Sequence, residues 1–140
     1  MPDRFNTLIE LLAHNADAHA DRAAVIFESE TYSHAALYHA VQAQAAALAA
    51  NGIRRGDRVL VLAGNRPEVL ILLGAVAWLG AILVPLNLRL SPEEIGWIEG
   101  DAEDRFLIID DVLLPLYQQF AHLHKFEKVI VFPFSGAPVP

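Results

Sequence analysis

The stretch Gly56-Asp57-Arg58-Val59-Leu60-Val61-Leu62-Ala63-Gly64-Asn65-Arg66-Pro67-Glu68, with Val69 to Leu88 behind it, decides the fold. Arg58 to Ala63 is an apolar run of strand length, entered through the turn Arg54-Arg55-Gly56-Asp57. Asn65 and Pro67 mark a helix start, because proline fits the first helical turn, where its missing N–H costs nothing. The helix they open is apolar nearly all round (Val69, Leu70, Leu72, Leu73, Val76, Ala77, Leu79), which predicts cover on several sides. Gly80 stops it, and Ala81 to Leu86 reads as a second strand. Strands that are apolar throughout, separated by a helix, form a parallel pair joined by a right-handed crossover. One rival reading arises here, since Val69 to Leu88 is 20 residues without a charge, long enough to cross a bilayer. Gly80, Pro85 and Asn87 interrupt it, so no membrane span is expected.

Outward from this unit the pattern repeats. Thr7-Leu8-Ile9-Glu10 has the form of a capping box, with Thr7 and Glu10 satisfying each other's backbone donors, and opens a short helix ending near His14. Ala23 to Phe27 and Thr31-Tyr32, separated by Glu28-Ser29-Glu30, read as a hairpin. Ser33 caps a long alanine-rich helix whose stripe is Leu37, Val41 and Leu48, and Asn51-Gly52 ends it. Downstream, Ser91-Pro92-Glu93-Glu94 caps a helix to about Glu99, Phe106 to Ile109 is a strand, Val112 to Leu123 a helix and Val129 to Phe132 a last strand. The fold class is therefore α/β, built on a mostly parallel, helix-flanked sheet over residues 1–132, with 133–140 a Pro-rich tail or linker.

Composition narrows the function classes. The chain has 140 residues, 54% of them hydrophobic and 19% charged, which excludes disorder and fits one domain of ordinary size. The formal net charge of −7, with only Lys125 and Lys128 as lysines and the arginines scattered apart from Arg54, Arg55 and Arg58, argues against a nucleic-acid partner. No cysteine is present, which removes disulfides and thiolate chemistry. Met1-Pro2-Asp3-Arg4-Phe5 has no basic segment leading into an apolar run, so no secretory signal is expected and the location expected is cytoplasmic.

No reaction centre can be assembled from the residues. The turn Ala63-Gly64-Asn65-Arg66-Pro67 has one glycine where a dinucleotide loop needs three, and neither lysine follows a glycine as a Walker loop requires. His14 and His19, like His34 and His39, are five apart, about 140° round a helix, and His122 and His124 diverge further, so no metal ligand set is expected. Asp110-Asp111 at a strand's end is the arrangement that holds Mg²⁺ in receiver domains; the plainer reading has these acids cap the next helix. Ser135-Gly136 lacks the strand-turn-helix setting of a serine nucleophile.

Taken in order, Thr31-Tyr32-Ser33, Ala49-Ala50-Asn51-Gly52-Ile53, Gly56-Asp57-Arg58-Val59-Leu60-Val61, Gly64-Asn65-Arg66-Pro67-Glu68 and Leu79-Gly80-Ala81-Ile82-Leu83-Val84-Pro85-Leu86-Asn87 resemble the N-terminal region of the adenylate-forming (AMP-binding) ligases. The resemblance runs from about Thr7 to Asp111, and Pro85 to Glu94 looks like the acyl-CoA synthetase version. It implies an enzyme that activates a carboxylic acid (fatty or aryl) with ATP and Mg²⁺ to an acyl-adenylate and passes the acyl group to CoA. The family's phosphate loop, Mg²⁺-binding glutamate and catalytic lysine lie downstream of this region, so the resemblance implies no catalytic residue here, no cofactor bound by this fragment alone and an inactive fragment. Arg89 is the one carried-over site residue, as a contact to a CoA phosphate. The expected partner is the remainder of the ligase, with self-association through uncovered apolar surface. A stand-alone, non-catalytic binding domain on the same fold is the alternative, and a receiver domain ranks third.

Overall fold

The computed structural model describes residues 5–102, 105–123 and 126–133. His124, Lys125, Ser135-Gly136 and most of the expected tail lie outside these described residues. The chain divides into two compact units. One is built from the segments up to Arg55 and from Arg66 to Gly80, the other from Gly56 to Asn65 and from Ala81 onward.

The first unit is a helical layer with a hairpin. Helix α1 (Leu8–Ala18) is capped by Thr7, whose Oγ1 accepts from the Glu10 amide at 3.1 Å. The reciprocal half of the expected box is displaced by one residue, because the Glu10 carboxylate accepts from the Asn6 amide at 2.7 Å. The helix runs past His14 to Ala18 and has no buried residue. Strands β1 (Ala23–Phe27) and β2 (Glu30–Ser33) pair antiparallel across Glu28-Ser29.

Helix α2 (His34–Ala50) starts where Ser33 Oγ accepts from the Ala36 amide at 3.1 Å. Leu37, Val41, Ala45 and Leu48 form its buried stripe. Its end is a Schellman motif: the Gly52 amide donates to the Ala49 carbonyl and the Ile53 amide to that of Leu48, with Gly52 at φ +97°. Leu48 and Ile53 are both buried, as the apolar contact of that motif requires.

Helix α3 (Pro67–Trp78) has proline in its first turn and ends at Gly80, whose φ of +68° suits the glycine. Gly74 lets it approach its neighbours, since a Cβ there would stand 2.7 Å from Val41 Cγ2 and 3.4 Å from Leu12 Cδ1. Cover on several sides does not extend to Leu70, Leu73 and Trp78, which remain exposed.

The second unit is the sheet. Strands β3 (Arg58–Leu62), β4 (Ile82–Pro85), β5 (Phe106–Asp110) and β6 (Lys128–Phe132) lie in the order β4-β3-β5-β6, all parallel. Inner strand β5 is buried at all five positions, which explains its apolar run Phe106 to Ile109 and makes Asp110 the exception. Pro85 sits on edge strand β4, where its missing donor breaks no interior ladder.

Helices α4 (Pro92–Ala102) and α5 (Leu114–Phe120) flank this sheet. Leu60, Leu62, Leu107 and Ile109 cluster with Leu86 and with Ile95 of α4, and Leu114, Leu116 and Tyr117 of α5 pack against them. Each such aliphatic side chain stabilises the fold by about 1.5–3 kcal/mol. Burial also pushes the Tyr117 phenol above its ordinary pKa.

Ser91 and Glu94 form a complete capping box, with bonds of 3.3 and 2.8 Å. The single helix expected over Val112 to Leu123 is instead a 3₁₀ turn (Asp111–Leu113), α5 and a second 3₁₀ turn (Ala121–Leu123). Pro115 is the cause, since it removes the donor that an α-helix begun at Asp111 would need. The uncharged stretch Val69 to Leu88 is divided between α3 and β4, and no described helix is long and apolar enough to cross a membrane.

Candidate functional site at the carboxyl end of the sheet

In sequence β3 comes first, β4 pairs on one side of it, and the chain then crosses back to place β5 on the other. Such a reversal is a topological switch point, and open parallel sheets bind ligands outside the carboxyl ends of the strands at that place. In this sheet the switch point lies between β3 and β5, and a groove lies beside it, between the exits of β3 and β4. The segment leaving β3 supplies Ala63, Gly64 and Asn65, and the segment leaving β4 supplies Leu86 to Arg89.

Ala63, Asn65, Leu86, Asn87, Leu88 and Arg89 line a groove of about 280 Å³. That is the lower end of ligand-site sizes and suits a phosphate or a small polar group better than a whole nucleotide. Its outer wall is a tight turn in which the Leu90 amide donates to the Asn87 carbonyl at 3.1 Å. The Asn87 side chain also accepts from the Arg89 amide at 3.0 Å. Asparagine favours such a position because its side-chain oxygen imitates a backbone acceptor. The turn is thus fastened by the Asn87 side chain, and the Arg89 side chain is exposed. A guanidinium so placed presents up to five donors in a planar fork, a geometry suited to phosphate.

Asp110 lies where the other strand of the switch point ends. It is only 1% exposed, and its Oδ2 accepts from the Gly64 amide at 2.8 Å. The expectation that Asp110 and Asp111 cap the following helix is corrected for Asp110: it precedes the 3₁₀ turn but makes no side-chain cap bond, turning back into the sheet instead. Asp111 does lie in the first turn. Among the described residues no group of three or more His, Asp or Glu side chains is arranged to hold a metal ion.

The histidines are placed differently from a simple helical spacing. His19 is the C-cap of α1 with φ −136°, so the 140° separation does not apply. The rings of His14 and His19 meet edge-on at 6.4 Å, and His19 lies 6.5 Å from His34. The resemblance singled out Arg89, which lines this groove, and gave no role to Asn65, Asn87 or the inward turn of Asp110. The available signal was an acid closing the apolar run Phe106 to Ile109, at the end of a strand where ligands bind.

Comparison with known proteins gives a consistent picture. The chain is 35% identical over 94 residues to 4-hydroxybutyrate–CoA ligase 2 of Metallosphaera sedula, covering 67% of this chain and 17% of that one. It superposes on the N-terminal domain of FACL13 from Mycobacterium tuberculosis with a TM-score of 0.85 and 25% identity, over 91% of this chain and 34% of that one. The O-succinylbenzoate coenzyme A synthetase of Bacillus subtilis, solved with ATP and magnesium ion, superposes with a TM-score of 0.77 and 30% identity over 86% of this chain and 32% of that one. The chain spans about a fifth of the length of the curated relatives it matches. The sequence profile of the AMP-binding enzyme matches residues 12–134, most of the chain, and with the parallel sheet and the order of its turns this establishes that the chain belongs to the AMP-binding enzyme family.

Proposed function

We propose that this chain is the N-terminal part of an ATP-dependent acyl-CoA ligase that activates a carboxylic acid as an acyl-adenylate and transfers it to CoA. In this reading residues 1–132 form the N-terminal subdomain and 133–140 lead on to the rest of the enzyme. The family's phosphate loop and catalytic lysine belong to that remainder, so ATP and Mg²⁺ are handled there and the chain alone is inactive. The exposed Leu70, Leu73 and Trp78 of α3 are surface for the remainder to cover, and self-association is expected in its absence. The complete enzyme is placed in the cytoplasm.

The observation that carries the reading is the groove with Arg89 on its rim at the carboxyl end of the sheet. Arg89 takes a phosphate of CoA. Calorimetric titration with ATP–Mg²⁺, with CoA and with the separately expressed downstream ligase segment tests the whole. Activity regained only on mixing, and CoA affinity lowered about tenfold by Arg89→Ala with unchanged thermal stability, is the expected result. Tight binding of a nucleotide or of CoA by the chain alone would make it a self-sufficient module and sink the proposal.

A further inference from the structure

We propose that Asp110 is a positioning residue for this groove: through the Gly64 amide it fixes the segment that forms the inner wall. The identity of the ligand rests on the reading above; the positioning does not. Asp110 is the one buried charged or polar residue among the described residues, in a strand whose other four positions are Phe106, Leu107, Ile108 and Ile109. A carboxylate there loses its hydration, a cost of several kcal/mol unless strong hydrogen bonds offset it. Valine or isoleucine would fill the place without that cost, so the acid has a task that packing alone does not set.

The task is visible in the ladder. Pairing between β3 and β5 ends at Leu62 opposite Ile109, one residue before Ala63. Beyond that point no strand register holds the chain leaving β3. The Asp110 carboxylate extends the attachment by accepting from the Gly64 amide at 2.8 Å across 46 positions of sequence. Gly64 lies between Ala63 and Asn65, both of which line the groove. One charge-assisted bond therefore sits at the centre of the wall that faces Asn87 and Arg89.

Steric need does not account for the contact. A Cβ on Gly64 would stand 3.7 Å from Oδ2, an ordinary van der Waals distance, and Gly64 is not in the left-handed region. Gly64→Ala keeps the N–H, so its amide should exchange at the wild-type rate to within about threefold.

The test is residue-resolved hydrogen exchange on the chain, together with CoA titration of the chain mixed with the downstream ligase segment, for wild type, Asp110→Ala, Asp110→Asn and Gly64→Ala. Asp110→Ala should raise exchange at Gly64 and Asn65 by about tenfold while Leu107 to Ile109 keep their protection, and should weaken CoA by about tenfold. Asp110→Asn, whose amide oxygen still accepts, should recover both to within about threefold. Unchanged exchange at Gly64, or a uniform loss through β3, β5 and β6, would overturn the proposal, the second because it marks a purely structural role. Should the alanine variant not fold, Asp110→Val, which fills the strand position but cannot accept, decides alone, a raised Gly64 rate supporting the proposal and an unchanged one ending it. If the wild type takes no CoA, the ligand assignment falls and the exchange data still decide the positioning.

Discussion

At the amino end of the sheet Arg105 donates to Glu127 through Nε at 2.7 Å and Nη2 at 2.6 Å, and through Nη1 to Asp57 at 3.1 Å. At the carboxyl end the acid is Asp110, buried and bonded to a backbone amide, while the arginine, Arg89, stands exposed beside a groove. The first end pairs its charges with each other and ties the starts of β3, β5 and β6 together from outside. The second end holds its acid inside and carries its cation exposed on the groove. The same two residue types are thus paired at one end and kept apart at the other.

The physical difference is water. Arg105 is 45% exposed, so solvent screens its bonds, and a bidentate pair in that setting contributes little to stability. Asp110 has no such screening. Its bond to the Gly64 amide is correspondingly stronger and more costly to lose.

The comparison can be broken most severely at its midpoint. Leu107 is fully buried in β5 between the two ends, and Leu107→Ala should cost about 2–5 kcal/mol in denaturant unfolding, because the cavity adds to the lost burial. It should loosen the Arg105 cluster and the groove alike; a variant that disturbs only one end would show that the ends do not share a core. Arg105→Ala is the sharper probe. It should lower the melting temperature by less than Leu107→Ala, by an amount that shrinks as salt is raised, with no change in CoA affinity.

The smallest effect is a titration. Hydrogen bonds from Arg105 hold the Glu127 carboxyl below its ordinary pKa. A depressed carboxylate pKa adds stability that is present above the unfolded value, about 4.3, and is lost as pH falls through the lower folded value. The difference in melting temperature between wild type and Glu127→Gln should therefore be greatest near neutral pH and vanish in acid. A difference independent of pH would assign the contact to shape rather than charge.

Local chemistry made much of the architecture readable. Ser33, Gly52, Pro67, Gly80 and the Ser91–Glu94 box each act within a few residues of themselves, and each stands where the sequence placed it. Reading failed where two local rules competed. Glu10 had two amides within reach and took that of Asn6, and Pro115 divided a helix whose apolar pattern ran straight through it.

By itself, then, the sequence determined the parallel class of the sheet, through strands built on continuous apolar runs, and the family, through turns kept in order. Tertiary structure alone decided which ends of those strands meet. The bond between Asp110 and Gly64 joins residues 46 apart, and the groove joins the exits of two separate strands. No spacing along the chain encodes such a meeting, because it depends on strand order and register, which are set by the burial of the whole sheet.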